Sequence, residues 1–325
     1  MTSPEPSFQD AVDLLTDENQ EFSRDILFQF SDIDPGQLKT LLDAWPQITL
    51  SRKQLLLASL KKELNRDVLL CYDMLAMALL KDEDVIIRST AIRLLSDCES
   101  EDLVPIFLEI TKNDPETAPR AEAITALGAY VLRGELDEIS KESLKEIENV
   151  LIQLSRSGEK TELRQRALES LGYSSHEEIP ALIKDAWKRE APMWKASAVF
   201  AMGRSCDLIW EENILEGLVY DNEIIRLAAT KAAGEIALAS ARPLLLKNLA
   251  EEEDDDVFQA LIWSLSQIGG EDVREFLLSL FDRYEDEEEE QIEYLEEALA
   301  NLDFTEDTQG FDILSFNADD DILDI

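Results

Sequence analysis

"RQRALESLG" (residues 164–172), "KASAVFAMG" (residues 195–203) and "RLAATKAAG" (residues 226–234) are one pattern written three times. Each begins with a cation, has alanine three residues on and an apolar residue seven on, and ends in glycine. Offsets of three, four and seven fall on one face of an α-helix, so each copy predicts a helix with a narrow apolar stripe. The pattern recurs more loosely as RSTAIRLLS from Arg88, RAEAITALG from Arg120 and FQALIWSLS from Phe258. Successive copies stand 32, 44, 31, 31 and 32 residues apart. So regular a period belongs to stacked supersecondary units and not to one globular core.

Between the copies lie second amphipathic stretches, among them EDLVPIFLEITKN, EEIPALIKDAWKR and EDVREFLLSLFDR. Each unit is therefore read as two antiparallel helices. Pro105, Pro180 and Pro243 fall in the first turns of theirs, where a missing N–H costs nothing. Asp82, Glu83, Asp84 and Glu223 precede or open the second helices, at the positive end of the helix dipole. The small residue (Ala91, Ala123, Ala167, Ala198, Ala229) admits a neighbouring helix closely. The closing glycine is expected at the helix end in a left-handed conformation.

The organisation expected is an all-α solenoid of about eight helix pairs, right-handed and superhelical. Residues 1–35 would supply capping helices, residues 36–302 the solenoid and residues 303–325 an acidic, mobile tail. The 44-residue interval carries about 12 additional residues around YVLRGELDEISKESL, expected as a longer loop or helix.

The pattern resembles HEAT repeats, particularly the phycobilisome-lyase-type subset. Asp82 with Arg88, and Asp114 with Arg120, match an Asp and an Arg of the HEAT second helix. In that family these residues help tie adjacent repeats together; the other copies here lack the Asp at that spacing. From about residue 8 to residue 302 the chain also resembles a bacterial HEAT-repeat family without an assigned activity. DPGQLKTLLDAWPQI, RQRALESLGYSS, WKASAVFAMGRS and ALIWSLSQIGGEDVREFL carry that likeness.

Composition narrows the function. The 325 residues hold 71 acids against 30 bases, a net charge of −41. Residues 251–325 contain 27 of those acids and only Arg274 and Arg283 as bases, so the acidity is polarised. Such a surface repels phosphates, which argues against nucleic acid as a partner and against a module like the HEAT-like glycosylases. No apolar run of 18 residues occurs and the N-terminus opens on polar and acidic residues, so a cytoplasmic chain without a membrane partner is expected. Cys71, Cys98 and Cys206 are far apart and are read as buried or inert thiols.

His176 is the one histidine, followed by Glu177. HEAT-repeat deoxyhypusine hydroxylase, which this architecture resembles, converges several His-Glu motifs on two irons. A lone imidazole cannot build such a set, so His176 is read as a turn residue and no metal or cofactor is expected. An enzyme or phycobilin lyase on the same scaffold is the alternative, with no residues to carry it.

The residues five after each motif start form a polar column, Arg93, Thr125, Glu169 and Lys231, interrupted by Phe200 and Trp263. HEAT second helices line a concave face, and on that resemblance the column looks into a groove where large aromatics anchor a partner. The acid runs 251–256, with Asp254, Asp255 and Asp256, and 285–290 lead into successive second helices and would stack along one edge. They are read as a solvated cap or a dock for a basic protein segment. The expectation is a monomeric, non-catalytic protein-interaction scaffold.

Overall fold

A computed structural model describes residues 6–18, 20–67, 69–251, 254–281 and 289–310. Among the described residues there are eighteen α-helices and no strand. The chain divides into two compact units, Met1–Ser174 and Ser175–Ile325. In the first unit α1 (Phe8–Leu14) and α2 (Arg24–Phe28) precede four pairs. These are α3 (Pro35–Ala44) with α4 (Leu50–Leu64), α5 (Asp73–Leu79) with α6 (Val85–Leu94), α7 (Leu103–Asn113) with α8 (Thr117–Glu135), and α9 (Lys141–Arg156) with α10 (Thr161–Leu171). The second unit holds α11 (Ile179–Trp187) with α12 (Pro192–Arg204) and α13 (Glu211–Leu218) with α14 (Glu223–Glu235). It continues with α15 (Arg242–Glu251) and α16 (Asp255–Ile268), then α17 (Glu271–Phe281) and α18 (Glu289–Gly310).

The repeat pattern is the core. The residues three and seven after the motif start are fully buried in all six copies, from Ala91 and Leu95 to Leu261 and Leu265. From α6 onward each second helix is covered by its own first helix and by the second helix or helices beside it within the unit, whereas α4 packs on α2 and α6. The 12 additional residues near Tyr130 are taken up by length: α8 runs for 19 residues and α9 for 16.

The cation that opens five of the six motifs has a structural task. Arg120 Nε donates to the Thr111 carbonyl at 2.8 Å, Arg164 Nε to Ser155 at 3.1 Å and Lys195 Nζ to Trp187 at 2.7 Å. Arg226 Nη1 donates to the Tyr220 and Asp221 carbonyls at 2.9 and 3.0 Å. These carbonyls end, or closely follow, the first helix of the same pair, where no intrahelical donor remains and the dipole is negative. One long side chain thus fastens the two helices of a pair to each other.

Arg88 goes further. Its Nη1 donates to the Asp82 and Glu83 carbonyls, while Nε and Nη2 grip both Asp114 carboxylate oxygens at 2.9 and 3.0 Å. Asp114 belongs to the next pair, so this fork crosses from one repeat to the next. The Asp and Arg therefore pair across adjacent repeats and not within one. Arg120 does likewise with Glu159, through Nη1 and Nη2 at 3.3 and 3.1 Å. Asp82 in turn accepts from the Trp45 indole of the preceding pair at 2.8 Å.

The motif glycines differ from expectation. Gly172 caps α10 with φ −54°, and Gly128, Gly203 and Gly234 lie within helices. What requires the missing side chain is close approach. A methyl group at residue 203 would come within 2.7 Å of Ala232 Cα, and one at residue 234 within 2.8 Å of Ser264 Cα. At residue 128 it would meet Ser170 at 3.1 Å. Each is the small residue six into the next copy, and Ser170 and Ser264 use their hydroxyls to donate to the Ile124 and Thr230 carbonyls across the same contact. The left-handed positions come three residues later, at Cys206 and Ala237.

Helix α18 runs through Gly310, so the tail read from residue 303 begins inside a helix; residues 311–325 lie outside the described residues. No described helix is long and apolar enough to cross a membrane.

Candidate functional site

Leu227, Lys231 and Glu235 are four residues apart on α14, and Gln259 and Trp263 four apart on α16, so each set lies along one helical face. Gly234 offers no side chain, and the Trp263 indole fills the space: a methyl group there would stand 2.6 Å from ring atom Cζ3. The indole is half-buried, backed by α14 and open on its other side. Tyr294 of α18 closes the far wall and donates its hydroxyl to the Gln259 carbonyl at 3.0 Å. Together they bound a groove of about 480 Å³.

The groove is apolar at its floor and charged along one rim. Lys231 is exposed; Glu235 is exposed overall, but its carboxyl turns back over Gly203, where a methyl group would meet Oε2 at 2.8 Å. Burial of that carboxyl pushes its pKa above the ordinary glutamate value, while Arg204 and Lys231 pull it down. Burial also raises the Tyr294 phenol, with Glu297 adding to it. A raised carboxyl pKa means that the folded chain binds this proton more tightly than the unfolded chain. Its stabilising effect is complete below the unfolded value and is lost as pH rises through the folded one. Glu235→Gln is therefore expected to equal or exceed the parent in stability at neutral pH, with the gap closing on acidification. Urea titrations of both proteins over a pH series read this out; a gap that widens toward acid would refute it.

The five-residue column thus delivers Lys231 and Trp263 to one groove. Phe200 does not line it: it is half-buried under the Arg204 guanidinium, 4.3 Å from its ring centroid. Arg93 and Glu169 belong to the first unit, where Arg93 meets Glu122 at 3.1 Å and Thr90 at 2.9 Å, and Glu169 meets Arg166 at 2.7 Å. Asp254 is the N-cap of α16, its carboxylate accepting from the Val257 amide at 3.1 Å. Asp255 and Asp256 occupy the first turn of α16, and the side chains of residues 251–253, 255, 256 and 285–290 lie outside the described residues. Glu235 and Tyr294 escaped the sequence reading. Glu235 lies beyond the nine-residue motif, although its spacing from Lys231 was a usable signal, and α18 has no copy of the motif.

His176 sits in the turn before α11, where its Nδ1 accepts from the Glu178 amide at 3.3 Å. Among the described residues no group of three or more His, Cys, Asp or Glu is placed to hold a metal. The Cys71, Cys98 and Cys206 thiols have raised pKa values, chiefly through burial, although Cys206 as a residue is exposed.

Residues 211–300, which include the whole groove, match the family model for HEAT repeats. No curated protein matches the sequence significantly. Among solved structures the chain is similar to Escherichia coli YibA, at 17% identity over 88% of this chain and 99% of that one, with a TM-score of 0.41. It is also similar to human deoxyhypusine hydroxylase in complex with glycerol, at 14% identity over 80% and 95%, TM-score 0.35. Kap121p is similar at 18% identity, TM-score 0.44, over 74% of this chain and 27% of its own.

Proposed function

We propose that these HEAT repeats form a non-catalytic scaffold that holds a protein partner in the groove of the second unit. The observation that carries this reading is the Trp263 indole, held half-open between α14 and α16 with Lys231 and Tyr294 beside it. A rigid aromatic set in a small apolar recess and rimmed by opposite charges is the usual composition of an interface hot spot. A recess of about 480 Å³ accepts one or two side chains of a peptide segment, so the partner is a protein that presents an apolar anchor. A net charge of −41 opposes polyphosphate backbones, which leaves protein as the favoured class.

Trp263→Ala tests the reading. Hot-spot truncations cost about 2 kcal/mol or more, roughly thirtyfold in affinity. Quantitative capture from the native cell, with parent and variant side by side, should show the principal partner depleted by that order. Lys231→Ala, at an exposed position, should weaken the same partner with at most a small change in melting temperature, from the loss of its attraction for Glu235. A partner recovered equally by parent and both variants would remove the groove from consideration.

A further inference from the structure

The first unit has a second groove of a different kind. Leu38 of α3 faces Met74, Met77 and Ala78 of α5 across a cavity of about 670 Å³, with Ile33 at its base. Met74 and Met77 are each 40% exposed, and Leu42, one turn beyond Leu38, is 38% exposed, so an apolar stripe stays open along both helices. The closed end is fastened. The Asp32 amide donates to the Cys71 carbonyl at 2.8 Å and the Cys71 amide to Ser31 Oγ at 2.9 Å, locking the loop before α3 to the loop before α5.

The charged lining has one sign. Asp32 and Asp73 line the groove and, among the described residues, no basic side chain does; Lys39, the cation on α3, is bound to Asp43 on its own helix. Methionine is unbranched and polarisable, and repacks against varied apolar surfaces, which suits an exposed recognition face. Two helices flanking an apolar trough present the ridges and grooves that a third helix would fill.

We infer that this groove receives an amphipathic helix of another protein, whose apolar stripe lies on Met74, Met77 and Leu38 and whose flanking lysines or arginines meet Asp32 and Asp73. The charge selects the occupant. An acidic segment, this chain's own residues 311–325 with five aspartates included, is opposed by the same carboxylates and by the net charge of −41.

The test uses the full chain and designed 16-residue peptides: an amphipathic Leu/Lys helix, a scrambled peptide of the same composition, and a Leu/Glu helix. Fluorescence anisotropy of labelled peptide should show the amphipathic Leu/Lys helix binding about tenfold more tightly than the scramble, and the Leu/Glu helix not binding. The Met74→Gln/Met77→Gln double variant should lose that tenfold preference while keeping the parent's circular dichroism and melting temperature, and Trp263→Ala should keep the preference intact. Equal binding of the helix and its scramble would reduce the attraction to bulk charge and overturn the inference. So would a preference that survives the double variant. Should the double variant melt early, Asp32→Asn/Asp73→Asn serves instead, with an affinity loss for the Leu/Lys helix expected and no change overturning the inference.

Discussion

Arg88→Met is expected to destabilise the first unit by about 3–5 kcal/mol, the usual cost of leaving one partner of a buried ion pair alone. The side chains of Arg88 and Asp114 are only 10% and 8% exposed, so neither charge is shared substantially with water. Two N–H groups hold the carboxylate and a third serves two carbonyls, and methionine can supply none of these bonds. Asp114 would then lose the guanidinium inside a repeat contact and, among the described residues, retain the Glu116 amide at 2.9 Å. Denaturant unfolding followed by circular dichroism measures the loss. The double replacement Arg88→Met/Asp114→Leu should recover most of it, because a well-packed apolar pair commonly matches a buried salt bridge. A single variant within about 0.5 kcal/mol of the parent would mean that the fork contributes no more than an exposed pair does.

Gly234→Ala should cost about 1–3 kcal/mol although alanine is the better helix former, because the added methyl has nowhere to go. It would press on the Ser264 backbone at 2.8 Å as well as on the Trp263 ring, and a helix backbone cannot rotate aside as a flexible side chain can. Gly158→Ala is the contrast: nothing stands within 4 Å of the new methyl, so that change should be neutral or mildly stabilising. Thermal melts of the two variants should therefore move apart, and equal melts would mean that α14 and α16 slide to make room. Because Trp263 is the displaced ring, Gly234→Ala should also weaken the partner proposed for the groove.

Helix pairs were legible because the offsets of three, four and seven state directly which residues are buried, from Ala91 to Leu265. The glycines were legible as important but not for the right reason. A glycine near a helix end fits both a left-handed cap and a close crossing, and only the distances to Ala232 and Ser264 decide for the crossing. Likewise the Asp114 match gave the residue types of the ladder, and the resemblance implied a tie between repeats, but which Arg meets which Asp left no spacing signature: Arg88 reaches forward to Asp114. Lys231 and Trp263 could be assigned to one column because they stand at the same offset in successive copies. Tyr294 and the methionine groove were not, because α18 lacks the motif and Met74 and Met77 look like ordinary core residues until α3 is seen to leave them open.

Six cations, Arg88, Arg120, Arg164, Lys195, Arg226 and Arg242, are spent on carbonyls inside the helix pairs, out of 30 in the whole chain. With 71 acids against 30 bases the exterior carries a large surplus of carboxylate, and mobile counter-ions must supply the neutralisation that side chains do not. At about 0.1 M monovalent salt the Debye length is about 10 Å, short enough to quench repulsion across the surface, while the Arg88–Asp114 fork, 10% and 8% exposed, is screened much less. Ionic strength thus becomes an external fastener for this fold, tightening it from outside as potassium or sodium accumulates.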